Sequence, residues 1–267
     1  MLTFLRTAVL LFTAQLRRVV LSKRALICLL LAGVPVAASI IVRLGIAHHG
    51  EGPPEIFTVV LGWLFLVQTV VPLIALIVGS AAVAEEIEDR TITYLITRPI
   101  PRGAILIGRW AAGLVLVLTL CAASAAVVFA LIGDIGAIDP DEPPLPPEIV
   151  PRFYRTVLLA GLAYSALFAA AGTFMKHPVL VGLAYTAVVE GFLANLPGAN
   201  QALTIQYYLK SYLLGDFPEL AERYQEFFKF IELEPPAGAL STLGIITVVA
   251  LGVGVWRLSR RQILLPS

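Results

Sequence analysis

Charge is scarce in this sequence: 18 acidic and 19 basic side chains among 267 residues, or 14%, against about a quarter in an average soluble protein. So few charged groups cannot cover a soluble surface of this size, which excludes an ordinary soluble enzyme. With 58% apolar residues and a mean hydropathy of +0.88, lipid is the main solvent. The two cysteines, Cys28 and Cys121, both fall in apolar runs, which excludes a disulfide framework or a metal-thiolate cluster. None of the four lysines (Lys23, Lys176, Lys210, Lys229) follows a glycine, so the Gly-Lys-Ser/Thr core of a phosphate-binding loop is missing. Any ATP-driven work must therefore draw its energy from a partner. The three histidines allow no Ser-His-Asp arrangement. His48 and His49 have only Glu51 and Glu55 as companions and read as a solvated loop rather than a metal site. No repeat period stands out, and no linker sets off a soluble domain.

Long apolar runs are what the chain does have. Six meet the requirement of about 20 mainly apolar residues for a spanning helix: 25–46, 56–83, 105–132, 153–174, 179–195 and 237–256, the fifth being short. The fold expected is all-α, one polytopic membrane domain over residues 1–267 with six transmembrane helices. An even number of spans returns the C-terminus to the side of the N-terminus. Placing both in the cytoplasm collects 13 of the 19 basic residues inside, among them Arg17, Arg18, Lys23, Arg24, Arg102 and Arg109, with only four acids, Glu85, Glu86, Glu88 and Asp89. The basic count favours this orientation, in the plasma or inner membrane.

Residues 1–24 carry Phe4, Leu5, Val9, Phe12 and Leu16 at near-helical spacing, with Arg6, Arg17 and Arg18 on other faces. They read as an interfacial amphipathic helix on the cytoplasmic leaflet rather than a cleaved signal peptide. Two segments are expected outside. Residues 138–151 hold six prolines among acids and predict an extended loop. Residues 196–236 form an amphipathic segment in which Tyr207, Tyr208, Tyr212, Phe217, Tyr224 and Phe227 alternate with charges, split near 215–218. It reads as an aromatic belt that anchors the helices, with a lid over a lateral exit or a docking site for an outer accessory protein as the alternatives.

The inner acids belong to the loop 84–104. Ile87, Thr91 and Tyr94/Leu95 recur at i, i+4 and i+7/i+8, giving a short helix with one weakly apolar face and acids in its first turns, where the dipole favours them. Pro99 and Pro101 end it. Such a helix against the inner face is suited to being pushed by a soluble partner. This loop resembles that of the membrane subunits of ABC-2 type transporters. There an acidic residue ends the second span, followed by a Gly-Thr or similar pair, a Leu-rich turn, a Pro, an Arg and a basic residue near the start of span three. Glu85/Glu86, Thr91, Leu95, Pro99, Arg102 and Arg109 fill those places in order, with Arg90 where the Gly is usual and Arg109 where Lys is frequent. The six-span layout, the N-terminal helix and the amphipathic segment before the last span are similar too.

The resemblance implies a permease subunit, an exporter, that pairs with a second one as homodimer or heterodimer to make twelve spans. It couples to two copies of a separate ATPase subunit, which would use the ATP and Mg; no cofactor is expected on this chain and no nucleic-acid partner. The coupling residues it implies are Glu85, Glu86, Glu88, Arg90, Thr91, Tyr94, Leu95, Arg98, Pro99 and Arg102. Exposed ion pairs alone add little, so an interface there needs Ile92, Leu95 and Ile96 as apolar anchors.

Two other readings share parts of the pattern. An ATP-independent channel or secondary transporter has the same spans and differs in recruiting no ATPase. Glu85-Glu86-x-x-x-Arg90 also fits the signature of intramembrane CAAX-type proteases, but that chemistry needs histidines on later helices, and only His177 lies downstream, in an inner turn before Pro178. Within the spans, Glu190 is a carboxylate in an apolar run that must face the bundle interior, a polar cavity or a partner, or be protonated; a structural pair or snorkelling to the interface and a place in the substrate path are equal readings. Arg43, at comparable depth, is its expected partner; Gln68 is a further candidate lining a substrate path. Pro35 and Pro72 predict kinks, and Gly244 and Gly252 predict close packing of the last span.

Overall fold

The computed structural model describes residues 2–49, 59–88, 102–132, 147–195, 199–223 and 233–260, and every regular element among them is helical. Helix α1 is Leu2–Val20 and α2 is Lys23–His49. Between them Ser22 caps α2: its hydroxyl accepts the Ala25 N–H at 3.1 Å and donates to the Val19 carbonyl at 2.7 Å. Helix α3 starts in the wide i→i+5 form over Val59–Val70 and continues as ordinary α-helix over Val71–Glu88. The register changes beside Pro72, whose missing N–H interrupts the ladder. Then come α4 (Arg102–Ile132) and α5 (Ile149–Phe174). Helix α6 runs as Pro178–Ala184, a wide stretch Tyr185–Phe192 and a tight turn Leu193–Asn195. After a second tight turn, Ala199–Leu203, follow α7 (Ile205–Leu214), α8 (Pro218–Arg223) and α9 (Pro236–Arg260).

Five of these helices are long and apolar enough to cross a bilayer: Lys23–Gly45, Leu61–Ala82, Gly103–Leu131, Ile149–Phe174 and Pro236–Arg260. The expected span 179–195 differs, since its apolar helix Pro178–Phe192 is shorter. At about 1.5 Å per residue it reaches roughly 22 Å, less than the ~30 Å of hydrocarbon.

Contacts fix the order of the bundle. Phe153 lies against Gly62 and Ser165 against Gly79, so α3 and α5 run parallel. Val78 meets Gly113 while Leu61 packs with Val128, so α4 is antiparallel to α3. Helices α3 and α5 form the centre, with 67% of their apolar windows buried, against 22% for α2 and α9. Small residues let them touch: a Cβ on Gly79 would come 2.8 Å from the Ser165 carbonyl oxygen, and one on Gly172 would come 2.7 Å from that of Ser80. Leu66, Val67, Ile74, Tyr164 and Phe168 fill the seam.

Helix α1 is docked, not merely amphipathic. A Cβ on Gly108 would lie 2.6 Å from the Ala8 carbonyl oxygen, so α1 crosses the start of α4 at backbone contact. Helix α2 runs parallel to α4 and is stitched to it twice. The Ser124 hydroxyl donates to the Ala32 carbonyl at 2.7 Å, where Pro35 disturbs the α2 ladder, and Arg43 Nη1 donates to the Leu131 carbonyl at 2.7 Å. Gly244 and Gly252 do not make the expected close contacts: nothing lies within 4 Å of a Cβ at either. Gly254 takes that role, its Cβ position 2.8 Å from the Leu106 side chain and 3.3 Å from Ala170 Cα. Both cysteines are buried and free.

Candidate functional site

The most polar part of the interior lies at the end of the bundle away from α1, around Glu190, which is fully buried. In an α-helix, residues five apart point about 140° away from each other; in the wider i→i+5 form they come round to the same side. Because 185–192 takes the wide form, Tyr185 and Glu190 share a face, and the Tyr185 hydroxyl donates to Glu190 Oε1 at 2.7 Å. The remaining capacity of the carboxylate goes to the first turn of α7. Ile205 N–H donates to Oε1 and Gln206 N–H to Oε2, both at 3.0 Å. Thr204 completes the cap: its backbone is extended, its hydroxyl accepts the Tyr207 N–H at 3.2 Å and donates to the Gln201 carbonyl at 2.7 Å. Three of the four N–H groups that a helix start leaves open are thereby matched, two of them by a carboxylate from another element.

Helix α7 turns its polar line inward. Gln206, Lys210 and Ser211 are buried, whereas Tyr207, Tyr208 and Tyr212 are half-buried. Gln206 Nε2 donates at 3.5 Å to the Val67 carbonyl. In the i→i+5 register that carbonyl would receive its bond from residue 72, and Pro72 has none to give. Lys210 Nζ donates at 3.5 Å to the Ala194 carbonyl. Burial pushes its ammonium down to about 8, with the Glu190 carboxylate acting in the opposite direction. The Tyr164 hydroxyl lies close enough to interact with Glu190 and Gln206, yet neither it nor Gln206 Oε1 makes a hydrogen bond of good geometry. Four elements, α3, α5, α6 and α7, thus meet in one buried polar knot. Above it Arg152, at the start of α5, pairs with Asp216 and lies over the rings of Tyr212 and Phe217, 5.2 and 5.5 Å from their centroids. Gly215 passes Pro236 so closely that a Cβ would be 2.9 Å from its ring.

The expected trio is not brought together. Arg43 is exposed and bonded to Leu131, so it is no partner of Glu190; backbone N–H groups and a tyrosine take that place because a helix start is aimed at the carboxylate. Gln68 is half-buried on α3, one residue from the carbonyl that Gln206 reaches. Tyr185, Gln206 and Lys210 were missed by sequence reasoning, although Gln206 and Lys210 stand four apart in a decapeptide that otherwise holds only Ser211 beside aliphatic residues and tyrosines. The knot has the makings of a latch: a carboxylate, a lysine and paired amides that hold one short helix onto three others.

At the opposite end, Glu85, Glu86 and Glu88 belong to the last turns of α3, continuous with the long helix instead of opening a separate one. Arg102 is the first residue of α4. Arg90, Thr91, Tyr94, Leu95, Arg98 and Pro99, with the rest of the expected short helix, lie outside the described residues.

No curated protein matches the sequence. A family model described as ABC-2 family transporter protein matches residues 6–263, nearly the whole chain and all five long apolar helices. The chain therefore belongs to the ABC-2 transporter family, as a multi-pass membrane permease component of an ABC transporter.

Proposed function

We propose that this chain is the permease subunit of an exporter, paired with a second permease subunit, a copy of itself or a different chain, and driven by two copies of a separate ATPase that binds ATP and Mg. The family match carries the reading, and the lack of a Gly-Lys phosphate-binding core in the sequence supports the separation of the ATPase. The chain crosses the bilayer six times, 178–195 being a short fifth passage, so that both termini lie in the cytoplasm on the basic side. Segment 84–104 couples to the ATPase through Glu85, Glu86, Glu88, Arg90, Thr91, Tyr94, Leu95, Arg98, Pro99 and Arg102. Support comes from its attachments: it joins the ends of α3 and α4, two helices in backbone-level contact with the centre and with α1. In the outer half we assign Glu190, with Gln68 and Arg43 toward the same end, to the substrate path, with the α7 segment as its closure.

Co-purification from detergent tests the coupling. The chain is expected to bring down an ATPase, and charge reversal of Glu85, Glu86 and Glu88 to abolish that. Recruitment unchanged by the reversal overturns the coupling segment, and no recruitment by the unaltered chain favours an ATP-independent channel or secondary transporter. Glu190→Gln is expected to stop transport while assembly and ATP hydrolysis by the partner stay measurable; transport at the level of the unaltered chain removes Glu190 from the path.

A further inference from the structure

We propose that the end of the bundle carrying α1 holds a site for the phosphate headgroup of an anionic glycerophospholipid, with Arg18, Ser22, Arg24 and Arg109 around the phosphate and the acyl chains along α2, α3 and α6. A cavity of about 90 Å³ lies there between α1, the start of α2, α3 and α4, lined on its polar side by those four residues and Gln15. It has room for several water-sized groups, the bulk of a tetrahedral anion. It shares Arg24 and Ala81 in its lining with a second cavity of about 490 Å³ bordered by α2, α3 and α6. The walls of the second cavity are mostly apolar, with Ile27, Ile77, Leu180 and Leu183 among them beside Arg24, Ser80 and His177. A small cationic chamber beside a larger, mostly apolar groove matches a phosphodiester head with its tails, and a free anion would have no use for the groove.

The chemistry of the chamber is that of phosphate recognition. Guanidinium groups present planar forks of donors to a phosphate. Arg109, on α4, is only 8% exposed, and Arg18 and Arg24 line the cavity from α1 and α2. The acids that share this end, Glu85, Glu86 and Glu88 on α3, are outnumbered by Arg17, Arg18, Lys23, Arg24, Arg109 and Lys176. The level in the bilayer fits as well. On α1 and its following turn, Val9, Leu10, Val20 and Leu21 are between 51% and 76% exposed beside Arg17 and Arg18, the pairing of apolar and cationic groups that seeks a lipid interface. Which leaflet supplies the lipid rests on the orientation proposed above; the headgroup chemistry does not.

Native mass spectrometry of the purified full-length chain in neutral detergent tests the site. The probes are phosphatidylglycerol and phosphatidylcholine of identical acyl chains, each with and without millimolar inorganic phosphate. The expected result is one retained phosphatidylglycerol per chain, little phosphatidylcholine, and no displacement by inorganic phosphate. R18Q and R24Q are each expected to lower retention roughly tenfold, the effect of losing a charge-assisted hydrogen bond. R260Q, a cation of the same end that does not line the cavity, should retain lipid like the unaltered chain. Equal retention in R18Q, equal binding of the two lipids, or displacement by inorganic phosphate, which would point to a free anion, each overturns the proposal. Arg18 is exposed on α1, so R18Q decides the matter if R24Q does not elute as a single species. Neither ATPase nor transport enters the readout, so a failed coupling model and a failed lipid site are told apart.

Discussion

At the scale of single residues, Glu190 shows how backbone N–H groups and a phenol can hold a buried carboxylate. Its two oxygens terminate two backbone N–H groups and one phenol. Glu190→Ala would leave the two buried N–H groups without an acceptor, at about 1–3 kcal/mol each, and would also strip the half-buried Tyr185 hydroxyl of its partner. The expected outcome is a fall of several degrees in the melting temperature of the purified chain, larger than for Glu190→Gln, which keeps one carbonyl acceptor; equal melting of Glu190→Ala and the unaltered chain refutes the pin. Lys210 gives a pH signature. Its folded-state value near 8 lies below the 10.5 of the free side chain, so above pH 8 the unfolded chain holds more protons and stability rises with pH until about 10.5. Thermal melts from pH 7 to 10 should show this rise in the unaltered chain and a flatter profile in Lys210→Met. The sequence made Glu190 legible as a costly carboxylate. Its partners were not, because an inventory of side chains contains no backbone N–H groups and an α-helical wheel sets Tyr185 and Glu190 on different faces.

At the scale of elements, most of the bundle was readable from hydropathy: the apolar runs at 25–46, 105–132, 153–174 and 237–256 all fall within long helices. The errors came where packing overrode pattern. Gly244 and Gly252 read like a packing stripe but meet nothing, whereas Gly79, Gly108 and Gly172 are the backbone contacts; spacing along one helix does not reveal which side its neighbour occupies. The helix at α1 was legible from its periodicity, its docking on α4 was not, since only the tertiary approach gives Gly108 its meaning. Gly108→Val would drive a side chain into the Ala8 carbonyl and lift α1 from α4. The expected result is faster tryptic cleavage after Arg17 and Arg18 with the later helices intact, and unchanged cleavage would show that the docking tolerates the added bulk. The acids 85, 86 and 88 mark a further difference: their position in the last turns of α3 sets them against the helix dipole, which a reading based on a separate short helix placed in their favour.

At the scale of the whole molecule, segregation of charge predicts sidedness that can be labelled. Cys28 and Cys121 are buried, so the native thiols leave little background. An impermeant maleimide applied to intact cells should modify Asn200→Cys, at the exposed outer turn, and should reach Ser259→Cys only after permeabilisation; the opposite pattern reverses the orientation. The three attachments of α1 and α2 to α4, at Gly108, Ala32 and Leu131, and the glycine contacts of α3 with α5 also have a mechanical meaning. They tie α2 to α4 and α3 to α5, and the coupling segment proposed above joins the end of α3 to the start of α4. On the coupling proposed above, a thrust on that segment would act as a torque between the two pairs. Spin labels on α2 and α5 should therefore change their separation during ATP turnover, while a pair on α2 and α4 keeps its distance.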